Sequence, residues 1–147
     1  MPFGLEDPAI AEAYAAVRSD KEPTSWLLLS SSPASPKNLA LAKTGEGALS
    51  ELAAELDPAQ VQYAYARIEY RLDEESTRTK FVLIIWIGKR TPVMRKARVS
   101  IESGEVKKVL SHHSIQVDAD EPGDLDEAEV VRRLKKAGGA DYNGGRG

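Results

Sequence analysis

The hydrophobic pattern centres on Phe81-Val-Leu-Ile-Ile-Trp-Ile87, entered by Arg78-Thr-Lys80 and stopped by Gly88-Lys-Arg90. The run is far shorter than the roughly 20 apolar residues of a membrane-spanning helix. It is also short for a buried helix. A strand covered on both faces reads as a continuous apolar stretch, so this run predicts the central strand of a sheet with helices on either side.

The rest of the chain arranges itself around that strand. Asp7-Pro8 is a helix start, a capping acid followed by a proline suited to the first turn. Ile10, Tyr14 and Val17 then form one apolar stripe, and Ser19 to Pro23 ends it. Trp26 to Leu29 and Asn38 to Ala42 read as two short strands joined by the polar, proline-containing loop Ser30 to Pro36. Leu49, Leu52, Ala53 and Leu56 recur at helical spacing, closed by Asp57-Pro58. Val61 to Leu72 alternates, with Val61, Tyr63 and Tyr65 on one face and Ala64, Ala66, Ile68 and Tyr70 on the other; Arg67, Glu69 and Arg71 turn outward. The charged loop Asp73 to Thr79 makes this strand and the central one an antiparallel hairpin.

Residues 93–101 have no firm pattern. A helix is expected to restart at Ser103, with Val106, Val109 and Leu110 inward and Lys107 and Lys108 outward. Ser114 to Val117 is a short strand. Asp124-Leu-Asp-Glu127 has the form of a capping box and opens a last helix that the Gly138-Gly139 pair is expected to end. The expectation is one α+β domain over residues 1–140, a five-stranded mixed sheet sandwiched between helices on both faces. A flexible Gly-rich tail is expected over 141–147.

Composition narrows the function. The 147 residues carry a net charge of −3, which gives no reason to expect nucleic acid as a partner. The chain has no cysteine, so a disulfide scaffold and thiol-based metal or redox chemistry are excluded, and a cytoplasmic location is expected. Met1 to Asp7 lacks the basic and apolar regions of a signal peptide, and no stable membrane insertion is expected.

Candidate catalytic groups are few. His112-His113 is adjacent in sequence, which on a helix directs the two rings about 100° apart, away from a shared metal. A helix end, with imidazole near the last carbonyls, accounts for the pair. No phosphate-binding loop of the G-x-x-x-x-G-K type is present, and Gly45-Glu-Gly47 is a turn. The acids from Glu121 to Glu129 suit a helix N-terminus. No catalytic residue, metal or cofactor is expected, and the protein reads as a non-enzyme and a monomer.

The basic residues are segregated instead. Lys89, Arg90, Arg95, Lys96, Arg98, Lys107 and Lys108 face only Glu102 and Glu105 in their segment. On the last helix Val130, Leu134 and Ala137 define the buried stripe, with Arg132 and Lys136 opposite and Arg133 and Lys135 flanking. Arg78 and Lys80 form a third group. Each has a bland explanation: a helix end matched to its dipole, or a strand-edge lysine that discourages edge pairing. Gathered onto one side of an acidic protein, they point to an acidic partner surface.

Several stretches together resemble the actin-depolymerising factor homology, or cofilin-like, family. They are Ala13-Tyr14 with Ser25-Trp26, Tyr63 to Arg67, Arg78 to Gly88, Lys96 to Ser100 with Val106 to Leu110, and Asp124-Leu125 with Leu134 to Tyr142. The resemblance spans about residues 11–142. It implies a mixed sheet between two pairs of helices, and actin filaments as the partner. It carries one filament-facing surface onto Lys80 and Arg78 with Arg132, Arg133, Lys135 and Lys136, and a second onto Arg95, Lys96 and Arg98. The sequence departs from the family in three places: Thr77 and Thr79 flank Arg78, the Ser30 to Lys37 loop is unusually polar, and no Ser or Thr precedes Asp7. A filament side-binder without strong depolymerising activity is therefore expected. The alternatives are a severing, depolymerising factor and a phosphoinositide-binding adaptor using the same basic face.

Overall fold

The computed structural model describes residues 2–145. Its strands are β1 (Trp26–Ser31), β2 (Leu39–Gly45), β3 (Val61–Arg71), β4 (Thr77–Ile87) and β5 (Ile115–Ala119). Its helices are α1 (Pro8–Arg18), α2 (Leu49–Ala53), α3 (Val93–Lys96), α4 (Val99–Val109) and α5 (Glu127–Gly145). The sheet order is β2-β1-β3-β4-β5. All pairings are antiparallel except β4 with β5, which is parallel, so the sheet is mixed as expected. The apolar run is the interior strand β4, one place from the middle strand β3.

Pleat alternation divides the core into two layers. Tyr63, Tyr65, Leu83 and Ile85 pack under α1 and α4, against Ile10, Val17, Val106 and Leu110. Ala64, Ile68, Val82, Ile84 and Trp86 pack under α2 and α5, against Leu49, Leu52, Val130 and Leu134. The small residues Ala64 and Ala66 leave room for Trp26 and Trp86 in this second layer. Both indoles are buried and both N–H groups are used: Trp86 Nε1 donates to the Asp57 carbonyl at 2.7 Å and Trp26 Nε1 to Glu51 Oε1 at 3.1 Å.

Four details differ from the sequence expectations. The unpatterned segment 93–101 is helical, and α4 starts at Val99, so Ser103 lies inside it and is buried rather than starting it. Leu56 lies beyond α2 in a turn closed by Leu56 N to Ala53 O at 3.3 Å. Asp124 does not cap the last helix. It serves a short turn over Pro122–Leu125, its Oδ2 accepting from the amides of Asp120 and Glu121, while Asp126 Oδ2 accepts from Glu129 N at the start of α5. Finally, α5 passes through Gly138-Gly139 to Gly145. A helical glycine costs about 1 kcal/mol against alanine but keeps its hydrogen bond, and no proline follows to stop the helix. Residues 146–147 of the expected tail lie outside the described residues.

Candidate functional site

The register of the β3–β4 hairpin places the first basic group. Lys80 pairs with Ile68 and Arg78 with Tyr70. Alternate residues of β4 share a face, so Lys80 and Arg78 stand on the side of Val82, Ile84 and Trp86, the side covered by α2 and α5. Arg78 is exposed and Lys80 half-buried. Helix α5 lies against this same end of the sheet. Its Val130 and Leu134 join the cluster that contains Ile68, Tyr70 and Val82. Arg133 Nη2 ties the helix to the Gln116 carbonyl on β5 at 3.0 Å. Arg132, Lys135 and Lys136 are exposed. The structure thus places the hairpin bases and the helix that carries the α5 bases on the same face of the sheet.

Within this group the side chains differ in commitment. Arg132 holds Glu129 in an exposed pair one helical turn away, and that hydrogen bond draws the Glu129 carboxyl below its ordinary value. Such a pair contributes little to stability and opens readily. Arg133 is half-buried and faces the sheet edge. Lys80, Lys135 and Lys136 make no ion pair among the described residues.

The second basic group sits at the other end of β4. Gly88 makes a sharp exit there: a side chain at this position would meet the Pro58 carbonyl oxygen at 2.2 Å, so only glycine fits. The chain turns through Thr91 N to Gly88 O at 3.0 Å and enters α3 after Pro92. Helices α3 and α4 are nearly continuous, with a joint at Ala97-Arg98 where Arg98 N bonds back three residues to Arg95 O. Val93, Met94 and Ile101 are 79%, 82% and 69% exposed, three large apolar side chains left uncovered within one short segment. Lys96 and Arg90 are exposed beside them. The apolar members were missed from sequence. Their signal is that Val93 and Met94 follow Pro92 outside the stripe of Val99, Val106 and Leu110 that α4 buries.

Arg95 and Arg98 are placed differently. The Arg95 guanidinium points inward and meets Glu102 Oε1 at 2.7 Å, with the two side chains 14% and 1% exposed. Arg98 is half-buried and its Nε lies out of solvent. Of Arg95, Lys96 and Arg98, only Lys96 is displayed. Along β4, Lys80 and Ile87 are separated by roughly 23 Å of strand rise. The basic residues are therefore not gathered onto one side. The hairpin bases and those that follow Gly88 lie at opposite ends of β4, because that strand carries the chain between them.

The histidines follow α4 directly. His113 Nδ1 lies 2.8 Å from the Leu110 carbonyl, and the His112 ring packs 5.3 Å from Phe81. Among the described residues no group of three or more His, Asp or Glu side chains converges on a metal-sized site.

Residues 3–135 match the family of cofilin/tropomyosin-type actin-binding proteins, and the chain belongs to that family. Within it the chain is similar to the coactosin of Dictyostelium discoideum, 35% identical over 135 residues that make up 91% of this chain and 90% of the relative. It is 37% identical to the coactosin of Entamoeba histolytica over 142 residues, 95% of each chain. The crystal structure of a coactosin from Entamoeba histolytica superposes with a TM-score of 0.82 at 32% identity, covering 89% of this chain and 94% of the other. The drebrin-like protein of Mus musculus is 33% identical over 136 residues, but this chain spans only 30% of its length.

Proposed function

We propose that the protein binds along the side of actin filaments as a coactosin-type regulator of the actin cytoskeleton, in the cytoplasm and as a monomer. It performs no chemical step and does not strongly depolymerise its partner. The observation that carries this is the pair of surfaces at opposite ends of β4. A compact partner offers one docking face, whereas a polymer of acidic subunits repeats its face and can meet both. The first surface is Lys80 and Arg78 with Arg132, Lys135 and Lys136. The second is Val93, Met94 and Ile101 with Lys96 at the rim, an apolar centre edged by charge. Lysine and arginine at the first surface and lysine at the second suit an acidic partner and speed its capture. Arg133 acts by holding α5 in place, and Arg98 is half-buried at the start of α4. Nucleic acid is not a partner of a surface built this way on an acidic chain. Among the described residues no helix is long and apolar enough to cross a membrane.

Cosedimentation with filamentous actin tests this when scored for two quantities at once, the protein carried into the pellet and the actin remaining there. The expected result is saturable pelleting with the pelleted actin undiminished. Actin moving to the supernatant would establish the severing, depolymerising alternative. Binding to phosphoinositide vesicles that persists with filaments in excess would establish the adaptor.

A further inference from the structure

Val93 and Met94 project from a helix of only four residues, too short to hold a direction by itself. The joint to α4 does not fix it either. Between Ala97 and Arg98 the regular hydrogen bonding lapses, and it resumes with Glu102 N to Arg98 O at 2.9 Å. One side-chain contact bridges this joint. Arg95 on α3 and Glu102 on α4 are seven residues apart, and Arg95 Nη2 meets Glu102 Oε1 at 2.7 Å. The same oxygen accepts a hydrogen bond from the hydroxyl of Tyr63 at 2.7 Å. Tyr63 is fully buried on β3, in the interior of the sheet. A continuous line of contact thus runs from the sheet through one carboxylate oxygen to α3.

The burial makes this line stiff. Glu102 is 1% exposed, and a carboxylate so deep requires its partners, since removing one leaves an uncompensated charge. Arg95 is held as firmly by the same argument. Glu102 Oε2 and Arg95 Nη1 have no hydrogen-bond partner among the described residues, so the connection passes through a single pair of atoms and no second bond replaces it.

We propose that Tyr63, Glu102 and Arg95 form a strut that sets the angle of α3 and presents Val93 and Met94 outward. Arg95 is then a positioning residue for filament binding, acting through Met94, and not itself a contact. This rests on the filament-binding function proposed above.

The test uses the full chain and four variants. Glu102→Gln keeps the shape and removes the charge, Tyr63→Phe removes one hydroxyl, Arg95→Ala removes the inward cation, and Met94→Asp alters the surface alone. Filament cosedimentation is measured at several salt concentrations, with amide hydrogen exchange on the unbound proteins. Glu102→Gln and Tyr63→Phe are expected to keep slow exchange in β3 and β4 while exchange at 95–98 speeds up. Their filament affinity should fall about tenfold, the size of coupling seen between residues in one network. Arg95→Ala should lose affinity with the salt dependence of binding unchanged, because a residue that touches no filament charge adds nothing to it. Met94→Asp should lose binding with exchange as in wild type.

Faster exchange at 95–98 with unchanged affinity in the strut variants overturns the proposal. So does a weakened Arg95→Ala with a shallower salt dependence, since Arg95 would then be a contact. If Glu102→Gln fails to fold, Tyr63→Phe decides by the same criteria. If Met94→Asp pellets like wild type, α3 is not a filament surface, and the function proposed for that end fails rather than the strut, which the exchange data then judge separately.

Discussion

Arg67 on β3 closes the end of α1, its Nη1 donating to the Val17 carbonyl at 2.9 Å. The same nitrogen reaches Ser19 O at 2.7 Å, and Nη2 reaches Glu22 O at 3.0 Å. The last carbonyls of a helix have no partner inside it, and here a forked cation from the sheet supplies one. Arg67→Ala should cost about 1.5–3 kcal/mol, the range for hydrogen bonds to a charged group. Arg67→Lys should recover little, because an ammonium cannot span carbonyls on both sides of the fork. Urea denaturation measures both. A loss below about 0.5 kcal/mol for the alanine variant would mean that water serves these carbonyls equally well.

The interior of β4 should behave as core. Ile84 is fully buried between its β3 partner Ala64 and its β5 partner Val117. Ile84→Ala should cost about 2–5 kcal/mol in chemical denaturation, with the exact value set by how far the site collapses. A change below about 0.5 kcal/mol would show that β4 is not what holds the sheet together.

Lys80 should be the most important single residue of the first filament surface. It is half-buried within the rigid strand β4, and a rigid element positions a charge better than a loop does. Lys80→Ala should leave stability within about 0.5 kcal/mol of wild type. Filament affinity should fall by roughly 2 kcal/mol if the ammonium is buried on docking. Lys37→Ala, in the exposed loop between β1 and β2, should pellet like wild type. Equal pelleting of both folded variants would remove the hairpin from the interface and leave the α5 bases to be tested next.

Alkaline pH should reveal the buried tyrosines. Burial, and then the neighbouring Tyr14, push the Tyr65 hydroxyl well above its ordinary value of 10.0. Tyr65 also donates to the His112 carbonyl. A raised value favours the protonated phenol in the folded chain, so this stabilisation is complete below about pH 10 and is lost as pH rises towards the folded value. Tyr65→Phe should cost about 1 kcal/mol at neutral pH for the lost hydrogen bond. The gap to wild type should then narrow steadily above about pH 10, as the unfolded wild-type phenol ionises. Urea titrations across that range should show the narrowing; a constant gap would mean that Tyr65 ionises as easily folded as unfolded.

The layers of the fold were legible because they follow period and polarity. The apolar run of β4, the alternation of β3 and the stripes of α1 and α5 each report one local face, and local faces survive folding. The parallel β4–β5 pairing and the position of β3 at the middle of the sheet are long-range and leave no such trace. The kink at Ala97-Arg98 obscured α3 because it breaks the helical period within the window where period is read. Glu102 and Arg95 looked like surface charges, since a sequence shows that a residue is ionic and not that its counter-ion is seven residues on and facing inward. For the same reason Arg67 read as an outward-facing strand residue. The lysines of the first surface were legible as candidates, but only the β3–β4 register shows that they share a face with α5.

The hairpin that carries Lys80 also has a kinetic meaning. Its eleven register pairs close over a tip in which Asp73 Oδ1 accepts from the amides of Glu75 and Ser76, each at 2.8 Å. These contacts are local, whereas β5 reaches β4 only after the chain has looped through α3 and α4. Local closure costs less chain entropy, so the β3–β4 ribbon is expected to form in the folding nucleus and β5 to dock afterwards. Pulse-labelled refolding should protect β3 and β4 amides before those of β5. Substitutions within the ribbon should then slow folding, while those at the β4–β5 seam should chiefly hasten unfolding.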